Sequence, residues 1–413
     1  MDGKTYVVGA GLAGLSAAVR LAGRGRRVVL VEGAAQVGGR CRSYDDGALG
    51  MTIDNGNHLV LSGNHATYDY LRAIGSQDRL VGPAQAMFDF CDVRDGRRWT
   101  LRPNAGPIGW WVLAKARRVP DTRAADYLAF AKLMPRQGGR RLCEAIRCEG
   151  VLWERLIEPL MLAALNTDPR AGSAELAGQI VRETLAQGGR ACAPRIADPS
   201  LDAAFIAPAL AYLTARGADL RIGRRVEAIE AAGDRVTALR IGGEAVALAH
   251  GDAVILATPA WITPALVPGT SAPDTFSSIV NGHFRIDAPA GAPKMVGVIG
   301  GTAQWLFAFQ GRISTTISGA DAVVDAPREE MAAALWRDVA KVYGFGPELP
   351  PWQIVKERRA TFAATPEQAA KRPTARTRLA NLVLAGDWTD TGLPATIEGA
   401  IRSGHKAAEI VAL

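Results

Sequence analysis

Apolar residues run without a break through "TYVV" at 5–8 and stop at a glycine-rich turn. They resume with helical spacing in "LSAAVRLAGRG" at 15–25 and close up again in "VVLV" at 28–31. A short continuous apolar run, a 3.6-residue pattern and a second run predict strand, helix and strand, with the strands buried on both faces as in a parallel sheet. Similar short runs return at 220–222, 236–241, 253–257 and 382–385, the last leading into a C-terminal helical stretch. One α/β domain is therefore written in pieces, 1–60, 206–269 and 376–413. The segments between, 61–205 and 270–375, are richer in tryptophan and helical apolar spacing, as in "WERLIEPLMLAALNTDP" at 153–169. They predict an inserted mixed α+β domain that holds the substrate. No internal repeat interrupts this plan, and "PNAGPIG" at 103–109 reads as a loop.

The first turn carries the chemistry. Gly9, Gly11 and Gly14 are spaced G-x-G-x-x-G between the first strand and the first helix. The first glycine permits the tight turn, the second lets a diphosphate reach the backbone, and the third lets helix and strand pack closely. Leu12 and Ala13 open the helix whose N-terminus then faces the diphosphate. Glu32 lies 18 residues after Gly14, at the end of the second strand. A carboxylate there accepts from both ribose hydroxyls and repels a 2′-phosphate, which leaves FAD or NAD and excludes NADP. The continuation "GGRCRS" at 38–43 separates these two: Gly38 and Gly39 bring backbone close again, and Arg40 places a guanidinium toward the pyrophosphate or a flavin. Near the C-terminus, "LVLAGDWTDTGLPATIEGAIRSGHKAAEIV" at 382–411 repeats the logic of strand, glycine, loop and helix. Gly386 and Asp387 are expected beside the ribityl chain. A helix starting at Thr396 and Ile397 would aim its N–H groups at the flavin ring and favour its reduced, anionic form.

The bulk numbers bound the rest. A chain of 413 residues, 48% hydrophobic and 22% charged, can bury two cores. No window reaches the roughly 18 apolar residues of a spanning helix. No leader is evident, and a cytoplasmic protein is expected. The five cysteines include no CxxC pair and support neither a disulfide framework nor a zinc site, so no metal is expected. The net charge of +7 accompanies scattered arginines and no nucleic-acid-binding motif, which places nucleic acid last among partners. "GWWVLAKARRVP" at 109–120 sets two tryptophans beside a Lys-Arg-Arg cluster, the composition of a segment that lies on an anionic membrane surface. The expected location is the inner membrane face.

Together the motifs at 9–14, 38–43 and 386–404 closely resemble the FAD-dependent amine oxidase and phytoene desaturase superfamily. The resemblance implies that Val226 meets the adenine through its backbone and that "ILATP" at 255–259 crosses beside the cofactor. The aromatic cage tyrosine of amine oxidases falls at Thr396, and the last cysteine is Cys192, so the flavin is expected to be non-covalent. "DNGNHLVLSGN" at 54–64, "LNTDP" at 165–169 and "GGTAQWLF" at 300–307 narrow the resemblance to the squalene-associated, desaturase-like flavoproteins described as hydroxysqualene dehydroxylases, with carotenoid-type desaturases and amine oxidases as alternatives. That group implies reductive loss of an allylic hydroxyl: an acid protonates the leaving group and reduced flavin supplies hydride in a dry apolar pocket. Candidate acids are Asp168, Asp54, Glu398 and His58. Asn166 and Thr167 are candidates to orient the hydroxyl, and Trp305 and Phe307 to wall the pocket. Asp168 before Pro169 reads equally as a helix-ending turn. The electron donor is left open between NAD(P)H and a redox partner.

Overall fold

The computed structural model describes residues 3–412. Five parallel strands form the first sheet, in the order Asp219–Ile222, Arg27–Glu32, Lys4–Val8, Ala253–Leu256 and Leu382–Leu384. The central strands are buried along nearly their whole length because helices cover them. Helix Leu12–Gly23 packs directly on the C-terminal helix Ile397–Ala412. A Cβ at Gly404 would stand 2.1 Å from the Ala13 carbonyl oxygen and 2.2 Å from Ser16 Oγ, so the two helices cross backbone against backbone. The Ser16 hydroxyl reaches the Ile401 carbonyl at 3.3 Å across the same crossing.

The run at 236–241 does not join that sheet. It lies in an antiparallel meander of Val226–Ala232, Arg235–Ile241 and Glu244–Ala247. Its alternating burial is that of a sheet with one wet face, and Gly233 and Gly242 turn the chain at positive φ.

A second large sheet has seven strands in the order Trp352–Phe362, Phe276–Phe284, Arg312–Ser318, Trp305–Phe309, Met295–Ile299, Phe88–Asp92 and Arg98–Leu101. Pairing is antiparallel except between Met295–Ile299 and Phe88–Asp92. The two-residue period sorts its side chains. Leu306, Ile313 and Val280 share a core with Leu335 and Trp336 of helix Arg328–Tyr343. Trp305, Phe307 and Phe309 face the other way, into an apolar cluster that continues to Trp153, Leu156 and Trp388 and to Val8 and Leu256 of the first sheet.

One expectation is corrected here. Cys143 and Cys148 are joined by a disulfide, because the short helix Leu142–Ala145 brings their Cα atoms to 5.4 Å, inside bridging range. Cys41, Cys91 and Cys192 are free and buried.

His283, on strand Phe276–Phe284, is fully buried, with Nδ1 2.8 Å from Ser314 Oγ and the Arg312 guanidinium beside it. Burial, with Arg312 adding to it, pushes its pKa down to about 3. Below the ordinary value near 6.5 the unfolded chain takes up a proton that the folded chain refuses. Stability is therefore complete above that value and falls as pH drops, by at most about 1.4 kcal/mol per unit. Denaturant unfolding at about pH 6.5 and about pH 5 should show wild type losing about 1.6 kcal/mol more than His283→Gln between the two conditions. Equal losses would mean that His283 does not carry this acid sensitivity.

Candidate functional site

The glycine turn behaves as three different glycines. Gly9 has φ +103, and a Cβ there would meet the Ala257 carbonyl oxygen at 2.6 Å. One at Gly14 would meet the Gly9 carbonyl oxygen at 1.8 Å. These two serve close packing. A Cβ at Gly11 would meet nothing within 4 Å, so its lack of a side chain answers no neighbour in the protein. Gly11 is also the N-cap of helix Leu12–Gly23 and brings no side chain to its first N–H groups, which include those of Leu12 and Ala13. The second glycine pair closes over this point: Gly38 bridges Gly11, its N–H reaches the Ala10 carbonyl at 2.8 Å, and both Gly38 and Gly39 have positive φ. Glu32 is held by the N–H groups of Ala10 and Ala34, each at 2.8 Å. The chain at 223–226 runs alongside, with the Arg224 N–H on the Glu32 carbonyl, and Val226 begins the next strand. An open glycine, a helix N-terminus without a side-chain cap and a fixed carboxylate at the strand end fit the diphosphate and ribose of FAD.

At the far end of the cradle two of the expected cofactor contacts are paired with each other. Arg40 Nη2 donates to both carboxylate oxygens of Asp387, at 2.7 and 2.8 Å, and Nη1 donates to the Ala360 carbonyl at 2.6 Å. Two segments 347 residues apart are joined by this pair. Gly386 has φ +154, and a Cβ there would strike the Trp388 indole at 2.4 Å. Trp388 is buried and donates from Nε1 to the Thr258 carbonyl at 3.0 Å, which ties the "GDW" turn to the "ATP" crossover. Thr396 caps the C-terminal helix through Gly399 N–H at 2.9 Å, while Ile397 starts the helix proper. Arg372 completes the joint. It stacks 4.9 Å from the Phe362 ring and donates to the carbonyls of Thr389 and Asp387, and burial lowers its pKa to about 10 against the pull of Asp390 and Asp387.

The candidate acids occupy very different surroundings. Asp54 is 2% exposed, accepts from Ser43 Oγ at 2.6 Å and Leu201 N at 2.9 Å, and is paired with the buried Arg312 at 3.3 Å. Glu398 is 3% exposed and caps helix His65–Ile74 from outside: it takes the N–H groups of Ala66 and Thr67 and the Thr67 hydroxyl, and pairs with Arg402. Asp168 lies exposed in the turn after helix Glu158–Leu165, where its carboxylate accepts the Arg170 N–H at 2.9 Å. His58 is half-buried on the loop leaving strand Met51–Asp54, and burial pushes its pKa down to about 4, with Asp54 opposing and Arg40 assisting.

The hydroxyl-orienting candidates are engaged elsewhere. Asn166 is the left-handed C-cap of helix Glu158–Leu165, and its amide clamps Thr361 Oγ1 at 3.0 Å and the Gly319 N–H at 2.7 Å. Thr167 Oγ1 takes the Ala364 N–H at 2.8 Å. Trp305 and Phe307 are buried on the inner face of the seven-stranded sheet, Trp305 against Phe90 at 5.7 Å. Lys294 is exposed and pairs with Asp198.

Several contributors went unread in the sequence: Trp388, Arg372, Arg312 and the pair Asn57 and Asn281. Asn57 Nδ2 faces three acceptors, Asn281 Oδ1, the Thr315 carbonyl and Thr316 Oγ1, at 3.1–3.3 Å. Its Oδ1 is a buried acceptor without a donor among the described residues, and a bound group can supply one. "DNGNH" contained the signal, since two asparagines flanking a glycine beside a buried strand have side-chain amides to satisfy.

Comparison with known proteins adds a family. The model of flavin containing amine oxidoreductases matches residues 12–412. A hydroxysqualene dehydroxylase of Rhodopseudomonas palustris is 52% identical over 412 residues, covering 100% of this chain and 99% of that protein. One from Sinorhizobium fredii is 49% identical over 99% and 98% of the two chains. Among solved structures, an oxidoreductase from Methanosarcina mazei superimposes with a TM-score of 0.74 at 15% identity, covering 98% of this chain and all of that one.

Two outcomes follow from this geometry. Glu32→Ala should leave a folded protein that loses FAD on gel filtration, since each ribose hydrogen bond to a charged acceptor contributes about 1.5–3 kcal/mol; full occupancy would place the adenosine elsewhere. Asp54→Asn removes one partner of a buried ion pair and should lower stability by about 3–5 kcal/mol. The surviving FAD-loaded molecules should keep most of their turnover, and a stable but inactive variant would return Asp54 to the chemistry.

Proposed function

The chain belongs to the flavin containing amine oxidoreductases and, within them, to the hydroxysqualene dehydroxylases, and we propose that it removes the allylic hydroxyl of hydroxysqualene reductively to give squalene. The observation that carries this reading is identity near half over essentially the whole length of two such enzymes, site segments included. FAD bound in the cradle, once reduced, supplies the hydride that replaces the lost oxygen. The protein's part is to hold the cofactor and the hydrocarbon, to keep water away from a cationic carbon, and to deliver a proton to the departing hydroxyl.

Each part has residues to carry it. Gly11, Gly38, Gly39, Glu32 and the first turn of helix Leu12–Gly23 hold the nucleotide. The face of Trp305 and Phe307, continuous with Trp388, is the dry apolar wall. The proton is assigned to His58, because Asp54 and Glu398 are already saturated by buried partners and Asp168 stands on an exposed turn. The carbon–oxygen bond breaks, the hydroxyl leaves as water with that proton, and an external two-electron donor, NAD(P)H or a redox protein, restores the cofactor. The substrate is a long hydrocarbon alcohol that dissolves in a bilayer, so the enzyme works as a peripheral protein on the inner membrane face. The absence of any helix long and apolar enough to span, among the described residues, is consistent with that placement.

Anaerobic mixing of chemically reduced protein with hydroxysqualene in detergent should yield squalene and oxidised flavin. A protein that stays reduced, while its oxidised form dehydrogenates phytoene or squalene, would establish a desaturase. His58 has a pKa of about 4, so its protonated fraction grows about tenfold for each unit of falling pH across the neutral range. Turnover should therefore rise from about pH 7.5 to about pH 5.5 with no plateau near 6.5. His58→Ala should remove that slope and cost about a hundredfold or more in rate. Persistence of the slope in the variant would move the donor elsewhere.

A further inference from the structure

The net charge of this protein is concentrated in one place. Residues 102–141 contain nine lysines and arginines against two carboxylates, a surplus of seven that equals the formal charge of the whole chain and leaves thirty-nine of each sign among the other 373 residues. Both carboxylates are already spoken for: Asp121 pairs with Arg97 and Arg155, and Asp126 accepts the Arg123 backbone N–H at 2.7 Å. Of the nine cations, only Arg136 and Arg141 form an ion pair among the described residues, with Glu175 and Glu367. Repulsion among so many unpaired cations is unfavourable for the isolated protein and is relieved by an anionic surface.

The same stretch exposes apolar side chains. Ile108 is 79% exposed, Leu113 72%, Leu128 62% and Trp110 50%. They are presented on a fixed scaffold. Asn104 Nδ2 donates to the carbonyls of Gly106 and Ile108, and its Oδ1 accepts the Trp111 N–H. Trp111 therefore turns inward, packed edge-on against Tyr127 at 5.1 Å, while Trp110 stays outside under the Arg117 guanidinium at 4.8 Å. Arg102 and Arg117 exchange hydrogen bonds across the base of the loop, and Leu128 follows Tyr127 directly. Exposed apolar tips in the same stretch as unpaired cations, with Arg117 lying over Trp110, match a bilayer with an anionic leaflet, where the tips enter the hydrocarbon boundary and the cations meet headgroup phosphates. A nucleic acid would leave the apolar tips in water. Beneath this face, Trp111 and Tyr127 belong to the same buried apolar cluster as Trp305, Phe307 and Trp388.

We propose that the face formed by residues 102–128 is a lipid-docking surface that seats the protein on an anionic leaflet, and that it is the side from which the hydrocarbon substrate enters. The docking stands on its own; the entry rests on the function proposed above. Trp111 serves as an internal support of this surface, and Ile108, Trp110, Leu113 and Leu128 are its lipid contacts.

The test uses the FAD-loaded full chain and flotation with vesicles of phosphatidylcholine alone or mixed with phosphatidylglycerol. Wild type should float with the mixed vesicles, lose binding as salt rises and remain unbound to neutral ones. A triple variant Ile108→Ser, Trp110→Ser, Leu113→Ser should lose binding by about tenfold or more, and Lys115→Glu with Arg123→Glu about fivefold or more per position. Leu349→Ser, at an exposed apolar residue elsewhere, should bind as wild type does. All these side chains are exposed, and unchanged melting of each variant separates lost docking from lost folding. Wild-type binding by the triple variant, or binding that ignores lipid charge and salt, would overturn the docking surface. For the entry side, the triple variant should turn over hydroxysqualene in detergent normally but act about tenfold more slowly on hydroxysqualene in mixed vesicles; equal rates on vesicles would overturn it. A wild type that floats yet makes no squalene in either format would instead reject the proposed reaction and leave the docking intact.

Discussion

The nucleotide end of this molecule depends on backbone lying against backbone at points where a single added carbon would not fit. Gly14 rests on the Gly9 carbonyl, Gly9 on that of Ala257, and Gly404 on that of Ala13. These contacts draw the first strand, the crossover after Ala253–Leu256, helix Leu12–Gly23 and the C-terminal helix into one corner. Side chains of ordinary size would hold the helix axes some 8–10 Å apart and spread the N–H groups that must converge on a diphosphate. Gly11 differs from its neighbours, because the space beside it is open and no part of the protein requires its missing side chain.

Around that corner the protein uses ion pairs as joints between distant parts of the chain. Arg40 with Asp387 joins the second glycine turn to the turn before the C-terminal helix, Asp54 with Arg312 ties the loop carrying His58 to the seven-stranded sheet, and Arg402 with Glu183 fastens the C-terminal helix to helix Ala174–Glu183. A buried pair costs desolvation on both partners and adds little net stability, but breaking one strands a charge, so the arrangement specifies position. His58, on the loop that follows Asp54, takes part in none of these pairs, and burial lowers its pKa.

Polarity is divided between the buried and the exposed side chains of the segments 61–205 and 270–375. Inward, the alternation of Trp305, Phe307 and Phe309 supplies a continuous apolar wall toward Trp388. Outward, residues 102–141 hold the entire charge surplus of the chain beside exposed apolar tips. A water-insoluble substrate needs both, a dry interior and a surface that approaches the phase in which it dissolves.

The sequence by itself determined the FAD cofactor and the fold class, because those rest on local chemistry: glycines at fixed spacing, a carboxylate at a strand end, and a helix start whose N–H groups need a partner. Four strands of the discontinuous first sheet were legible for the same reason, since they are buried apolar runs, whereas the edge strand Asp219–Ile222 is largely unburied and the apolar run at 236–241 belongs to another sheet. What the sequence could not reveal was the use of each polar side chain. Asp54, Glu398 and Asp168 look alike as letters, yet one meets an arginine 258 residues away, one caps a helix from another part of the chain, and one turns outward to solvent. Of two adjacent tryptophans, Asn104 turns one in and leaves the other out. The Cys143–Cys148 bridge and the separate meander at 226–247 likewise depend on which segments meet in space. Burial and partnership decide whether a carboxylate is a proton donor or a strut, and they exist only once the chain has folded.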